Sequence, residues 1–139
     1  MDRALQDYRE RLRGLPELRE SIEEYEANNL IRVVLNVWDY VKDRAVYVVI
    51  HIGSDRYFFN FGWRNELLQF LQDPTAIKAY SYNTILRSGN IVRLQAFHEP
   101  DVILSPVQSR ILLHKLFQVY EFTRDVSNWT YDDSPNVVF

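Results

Sequence analysis

Residues 30–63 read LIRVVLNVWDYVKDRAVYVVIHIGSDRYFFNFGW. Valine, isoleucine and aromatic residues recur here at every second position, the period of a half-buried strand. Two short polar signals, Lys42-Asp43 and Gly53-Ser54, divide the stretch into three runs. The reading is a meander with strands over 30–41, 44–52 and 56–63. Two-residue loops fix hairpin register. Centring the first hairpin on Lys42-Asp43 pairs Val37 with Val48, Leu35 with Ile50 and Val33 with Ile52. Centring the second on Gly53-Ser54 pairs Ile50 with Tyr57, Val48 with Phe59 and Val46 with Phe61. Both choices put apolar side chains on one face, so turn chemistry and hydrophobic pattern agree.

The same register defines a second face. Its cross-strand rows are Trp38–Tyr47–Asn60, then Asn36–Val49–Phe58, then Val34–His51–Arg56, with Arg32 and Tyr40 at the margins. Rings, a histidine, an amide and guanidinium groups on an open sheet suit single-stranded nucleic acid. Bases stack on rings for roughly 1–3 kcal/mol each, and arginine meets phosphate or stacks in turn. Arg93, Phe97, Tyr80 and Tyr82 extend this platform if a later hairpin joins the sheet. The opposing reading is a second core layer covered by a C-terminal helix, because large apolar patches are rarely left open.

Outward from the meander, a short helix is expected over 3–13, ended by Gly14 and carrying Arg3, Arg9, Arg11 and Arg13. Pro16 suits the first turn of a second helix, with Leu18, Ile22 and Tyr25 at helical spacing until Asn28-Asn29. This second helix carries Glu17, Glu20, Glu23, Glu24 and Glu26. The opposed charges predict an antiparallel helical hairpin. After the meander, Asn65-Glu66 opens a helix that Asp73-Pro74 ends. Residues 77–87 are expected as strand, with Tyr80 and Tyr82 alternating. Ser88-Gly89-Asn90 then turns into a strand over 91–98, whose Val92, Leu94 and Ala96 share a face. Ser105-Pro106-Val107-Gln108 is a capping box with proline at the first helical position. Along the long helix that follows, Leu112, Leu113, Leu116, Val119 and Tyr120 form an apolar face opposite Arg110, His114, Gln118, Glu121 and Asp125.

The fold class is therefore α+β: an antiparallel sheet (a three-stranded meander plus a further hairpin), an N-terminal helical hairpin and a long C-terminal helix. A chain of 139 residues, 47% hydrophobic and with eight Phe, nine Tyr and three Trp, is expected as one domain with a sizeable core. Residues 127–139 are expected as a flexible or docking tail. Net charge is −3, so there is no global basic footprint for duplex DNA. Without cysteine, disulfides and thiolate chemistry are excluded. No apolar run is long enough to span a bilayer, and a soluble, intracellular (cytoplasmic) protein without membrane contact is expected.

Enzyme signatures are missing. The four glycines, at 14, 53, 62 and 89, are isolated and make no phosphate loop. His51, His98 and His114 fall on separate elements, without metal-ligand spacing. His98-Glu99-Pro100-Asp101 gathers possible ligands but reads first as a polar turn. Asp39 falls by parity on the apolar face beside Val46 and Phe61, where a buried carboxylate would have a raised pKa. Neither cofactor nor metal is expected. A remote alternative is a metal-dependent nuclease using Asp39, Glu99 and Asp101.

At the far end, Tyr131-Asp132-Asp133-Ser134-Pro135, ending at Phe139, resembles the acidic, aromatic-ended C-terminal tips of bacterial and phage single-stranded-DNA-binding proteins. The resemblance covers fewer than ten residues, and Val137 and Val138 depart from it. It implies docking of a partner protein through the terminal carboxylate and ring.

Two kinds of function follow. One is a non-catalytic interaction protein, a small adaptor or inhibitor such as viral or phage accessory proteins, binding a protein partner or itself. Tyr, Trp and Arg are the residues enriched at interface hot spots. The other is a single-stranded DNA- or RNA-binding protein. Both use one surface: Arg32, Trp38, Tyr47, His51, Arg56, Phe58 and Asn60.

Overall fold

A computed structural model describes residues 16–130 and 135–139, together with residues 3, 4, 6, 7 and 10, which are helical. The rest of the helix expected over 3–13 lies outside the described residues, and with it Arg9, Arg11 and Arg13 of the expected helical hairpin. From Pro16 onward the described residues form four helices and two four-stranded antiparallel sheets. The helices are α1 (Pro16–Leu30), α2 (Val37–Asp43), α3 (Arg64–Gln72) and α4 (Pro106–Val126). The first sheet contains β1 (Ile31–Asn36), β2 (Tyr47–Ile52), β3 (Asp55–Asn60) and β8 (Asn136–Val138), in the order β3-β2-β1-β8. The second contains β4 (Ile77–Tyr80), β5 (Asn83–Ser88), β6 (Ile91–Ala96) and β7 (Val102–Ile103), in sequence order.

The meander is present, with one hairpin as expected and one corrected. Val48 pairs with Phe59 and Ile50 with Tyr57, as the Gly53-Ser54 turn predicts. In the first hairpin, however, Leu35 pairs with Val48 and Val33 with Ile50, two residues away from the expected register. The cause is α2, which replaces the end of the expected first strand. Asn36 Oδ1 accepts a hydrogen bond from the Asp39 N–H at 3.1 Å and caps the helix. Arg44, at φ 56°, closes it with an N–H donated to the Tyr40 carbonyl at 2.8 Å. Val37 and Tyr40, one helical turn apart, are buried together. Because the slip is by two residues, every β1 side chain keeps its expected face. Ile31, Val33, Leu35, Val48, Ile50, Tyr57 and Phe59 are all at most 2% exposed.

The further hairpin does not extend this sheet. Strands β4 to β7 form a sheet of their own, and β8 occupies the free edge of β1. Tyr80 and Tyr82 do not alternate along one strand: Tyr80 ends β4 and pairs with Asn83, which leaves Ser81 and Tyr82 as the turn. Val92 and Leu94 are buried, as their shared parity implies.

Helix α4 packs against both sheets. Ser105 Oγ accepts from the Gln108 N–H, and Gln108 Oε1 accepts from the Ser105 N–H, the capping box read from the sequence. Leu112, Leu116 and Val119 are fully buried in one cluster with residues of both sheets. Lys115, on that same face, donates from Nζ to the carbonyls of Asn28 and Ile31, where α1 ends and β1 begins. Burial, with Arg32 nearby, holds its pKa below the usual lysine value. Arg87 plays a parallel role: its guanidinium donates to the Phe70 and Leu71 carbonyls at the end of α3. On α1, Glu20 and Glu24 face Arg110 of α4 at 3.8 and 3.7 Å.

Within the expected tail, Val34, Leu35 and Asn36 pair with Val138, Val137 and Asn136. Phe139 exchanges backbone hydrogen bonds with Val33, and its ring meets Phe122 edge-on at 5.7 Å. That ring is therefore docked within the chain, and residues 131–134 of the acidic motif lie outside the described residues.

Candidate binding face of the first sheet

A strand turns alternate side chains to opposite sides, so a sheet that buries one set must cover or expose the other. Here α4 packs on the aliphatic side, where Lys115 reaches the Ile31 carbonyl. Among the described residues the opposing reading, a second core layer under the C-terminal helix, is not what this face forms. Phe58, in the middle of β3, is 50% exposed, while Arg32 and Arg56 are exposed outright. Val34, Val49, Tyr47 and His51 are half-buried among their neighbours.

The corrected register changes which of these residues meet. Arg32, His51 and Arg56 form one cross-strand row. Val34, Val49 and Phe58 form the next, and Tyr47 lies opposite Asn60 in a third. Successive rows are two residues apart, about 6.8 Å, and adjacent strands are about 4.8 Å apart. The arginine Cα atoms thus lie about 10 Å apart with the imidazole between them. Trp38 leaves the row in which it was expected, because α2 carries it off the sheet; it is 41% exposed there. Asp39 likewise leaves the apolar strand face for the first turn of α2. The Asn60 side chain is engaged locally, its Oδ1 accepting from the Gly62 N–H at 2.8 Å.

Electrostatics mark the arginine row. Burial first, then the positive charges of Arg56 and Arg32, hold the His51 pKa below its ordinary value. The imidazole is therefore neutral near pH 7, in a spot of concentrated positive potential on an acidic protein. Six other described arginines are already engaged, Arg87 and Arg110 as given above. Arg44 and Arg64 donate to the Ser127 and Tyr120 carbonyls. Arg93 and Arg124 face Asp101 and Glu121. Arg32 and Arg56 have no carboxylate or carbonyl partner among the described residues. An uncommitted arginine pair around a neutral imidazole suits an oxyanion ligand, because fork-shaped donors meet phosphate or carboxylate with both charge and geometry.

A link between the sheets was invisible in the sequence. The Tyr47 ring meets Tyr80 of β4 edge-on, with centroids 6.2 Å apart. The second sheet thus supplies a ring to the rim of the first, although it does not join its ladder. On the outer face of the second sheet, Ile77, Leu86, Arg93 and Ile103 form a cross-strand row. Ile77, Leu86, Ile91 and Ile103 line a shallow hollow of about 400 Å³, with Ile77 and Ile103 exposed. No set of three His, Asp or Glu side chains arranged to hold a metal occurs among the described residues. No described helix is long and apolar enough to cross a membrane. Comparison with known protein families, with curated proteins and with solved structures returns no match for this chain.

Proposed function

We propose that this chain is a non-catalytic binding protein whose working surface is the open face of the first sheet, and that its ligand is single-stranded nucleic acid. The observation that carries the reading is the uncovered Arg32–His51–Arg56 row beside the exposed Phe58 ring. Guanidinium groups without a carboxylate or carbonyl partner among the described residues suit phosphate, while Phe58 and the Tyr47–Tyr80 pair offer stacking surface to bases. A flat, open face favours a flexible single strand over a duplex, whose base edges are reached by an inserted helix or ribbon. Titration with oligothymidylate, followed by tryptophan fluorescence or by anisotropy of a labelled oligomer, tests this. Saturable, salt-sensitive binding is expected, and its absence at low salt removes the reading.

A protein partner is the second reading, and the exposed Ile77 and Ile103 on the outer face of the second sheet favour it. Apolar residues gathered in the open mark contact surfaces more often than isolated ones do. Ile103→Asp would abolish such an association, including self-association measured by sedimentation, and leave nucleic-acid binding intact.

A further inference from the structure

The end of the second sheet that approaches β3 carries a pair of rings that the fold does not use. Tyr82, in the β4–β5 turn, is 71% exposed, and Phe97, just past β6, is 62% exposed. They lie against each other with centroids 5.1 Å apart and planes tilted by 34°. The His98 imidazole joins the cluster, 3.9 Å from the Phe97 ring. Neither ring contributes to the core, and large rings left in water are unfavourable for folding.

The backbone is also bent against its preference at this spot. Ser81 has φ 54° and His98 has φ 62°, a left-handed conformation that residues with a Cβ adopt rarely. Each lies next to one ring of the pair. At Ser81 it is the positive φ that a two-residue hairpin loop takes, and at His98 it belongs to the turn after β6. The two turns set the exposed rings side by side.

The position of the pair suggests its occupant. Tyr80, two residues before Tyr82, touches Tyr47 on the open face. Asn83 pairs with Ala96, next to Phe97, and this holds the two loops side by side. Ring contacts therefore join Tyr47 to Tyr80 and Tyr82 to Phe97, and the two pairs are linked by the β4–β5 turn, in which Tyr80 and Tyr82 are two residues apart. We propose that the Tyr82–Phe97 pair is a base-stacking subsite, which receives nucleotides of a strand that continues past the open face of the first sheet. This inference rests on the nucleic-acid reading above and extends its footprint. Charge agrees with a base, not a phosphate, at this end: Glu99 lies close by, and Arg93 is held by Asp101.

A length series tests the subsite. Binding of labelled oligothymidylates from about 4 to 16 nucleotides, the range covered by comparable stacking sites, is measured for the intact chain and for the Tyr82→Ala/Phe97→Ala variant. The wild-type protein should gain affinity with length until the subsite fills. The variant should match it on the shortest oligomers, reach its plateau earlier, and bind the longest about tenfold more weakly, the worth of one stacked base. Tyr82→Trp/Phe97→Trp should retain the wild-type profile. Equal affinities at every length, or an equal loss at every length, would overturn the subsite. If Arg32→Ala/Arg56→Ala abolishes binding while the ring variant has no effect, the first-sheet reading stands and the subsite falls. If no oligomer binds the wild-type chain at low salt, both fall.

Discussion

Replacing Arg32 and Arg56 by alanine together should change the salt dependence of oligonucleotide binding more clearly than any other property. Counterion release gives log K a slope of about −0.7 per phosphate neutralised on a single strand. Two uncommitted arginines in one row then account for a slope of about −1.4. Between 50 and 200 mM salt, a fourfold change, this share of the binding free energy corresponds to about a sevenfold loss of affinity. The double variant should lose that share, its slope becoming shallower by about 1.4, and each single variant should lose about half. Arg32→Lys/Arg56→Lys should keep most of the slope, because it retains the charges. Both residues are exposed on a sheet surface, so the melting temperature should barely move; such substitutions usually stay within about 0.5 kcal/mol. Arg124, which faces Glu121 along α4, is the control: Arg124→Ala should leave the slope unchanged. Anisotropy titrations at several salt concentrations read all of this. An unaltered slope in the Arg32/Arg56 variant, or the same reduction in Arg124→Ala, would refute the assignment of the arginine row to phosphate.

Further outcomes follow from individual contacts. His51 has a lowered pKa in the folded chain, so the unfolded chain binds more protons once pH falls through about 6.5. Folding stability should therefore decrease as pH drops from about 6.5 through the lowered folded value, and His51→Asn should remove that component from denaturation curves. Ligand phosphate would favour the imidazolium, so oligonucleotide affinity should rise over the same interval, and His51→Asn should flatten this rise too. Asn36→Ala deletes the cap of α2 and should cost about 1 kcal/mol in urea unfolding. Removing residues 136–139 uncovers the β1 edge paired with β8 and takes the Phe139 ring from Phe122. That variant should melt earlier and aggregate on storage, as exposed strand edges do.

How far the fold was legible can be traced residue by residue. Alternation over 31–36 and 47–60 identified the strands and their buried face, because burial on one side leaves a period-2 signature that tolerates an even slip. Residues 37–41 defeated the same logic. Val37-Trp38-Asp39-Tyr40-Val41 satisfies both alternation and the i, i+3, i+4 spacing of a helix turn, and Lys42-Asp43 imitates a hairpin loop. The overlooked signal was Asn36 with Asp39 three residues later, a cap and a first-turn acid. Strand β8 is short and preceded by Asp, Ser and Pro, which read locally as a tail; only the vacant edge of β1 gives Val137 a reason to pair.

The separation of the two sheets was not readable, since local pattern names strands but not the edges that meet. Lys115 sits between Leu112 and Leu116 on an apolar helix face, which points to a buried partner without saying which carbonyls it reaches. For the candidate face, parity alone places Arg56, Phe58 and His51 on one side of the sheet. Arg32 moved from the margin into the row once α2 shifted the register, and Trp38 moved off the sheet. The Tyr47–Tyr80 contact depends on packing between sheets, for which a single sequence carries no periodic signal.

Photocrosslinking interrogates the open face most directly. An oligonucleotide bearing 5-iodouridine is irradiated with the full chain, and the adducts are located by peptide mass spectrometry. A strand lying on the open face should give adducts on β2 and β3, at Tyr47 and Phe58, suppressed by high salt and by Arg32→Ala/Arg56→Ala. Adducts confined to Phe117 on α4, or to the outer side of the second sheet around Ile103, would contradict that placement.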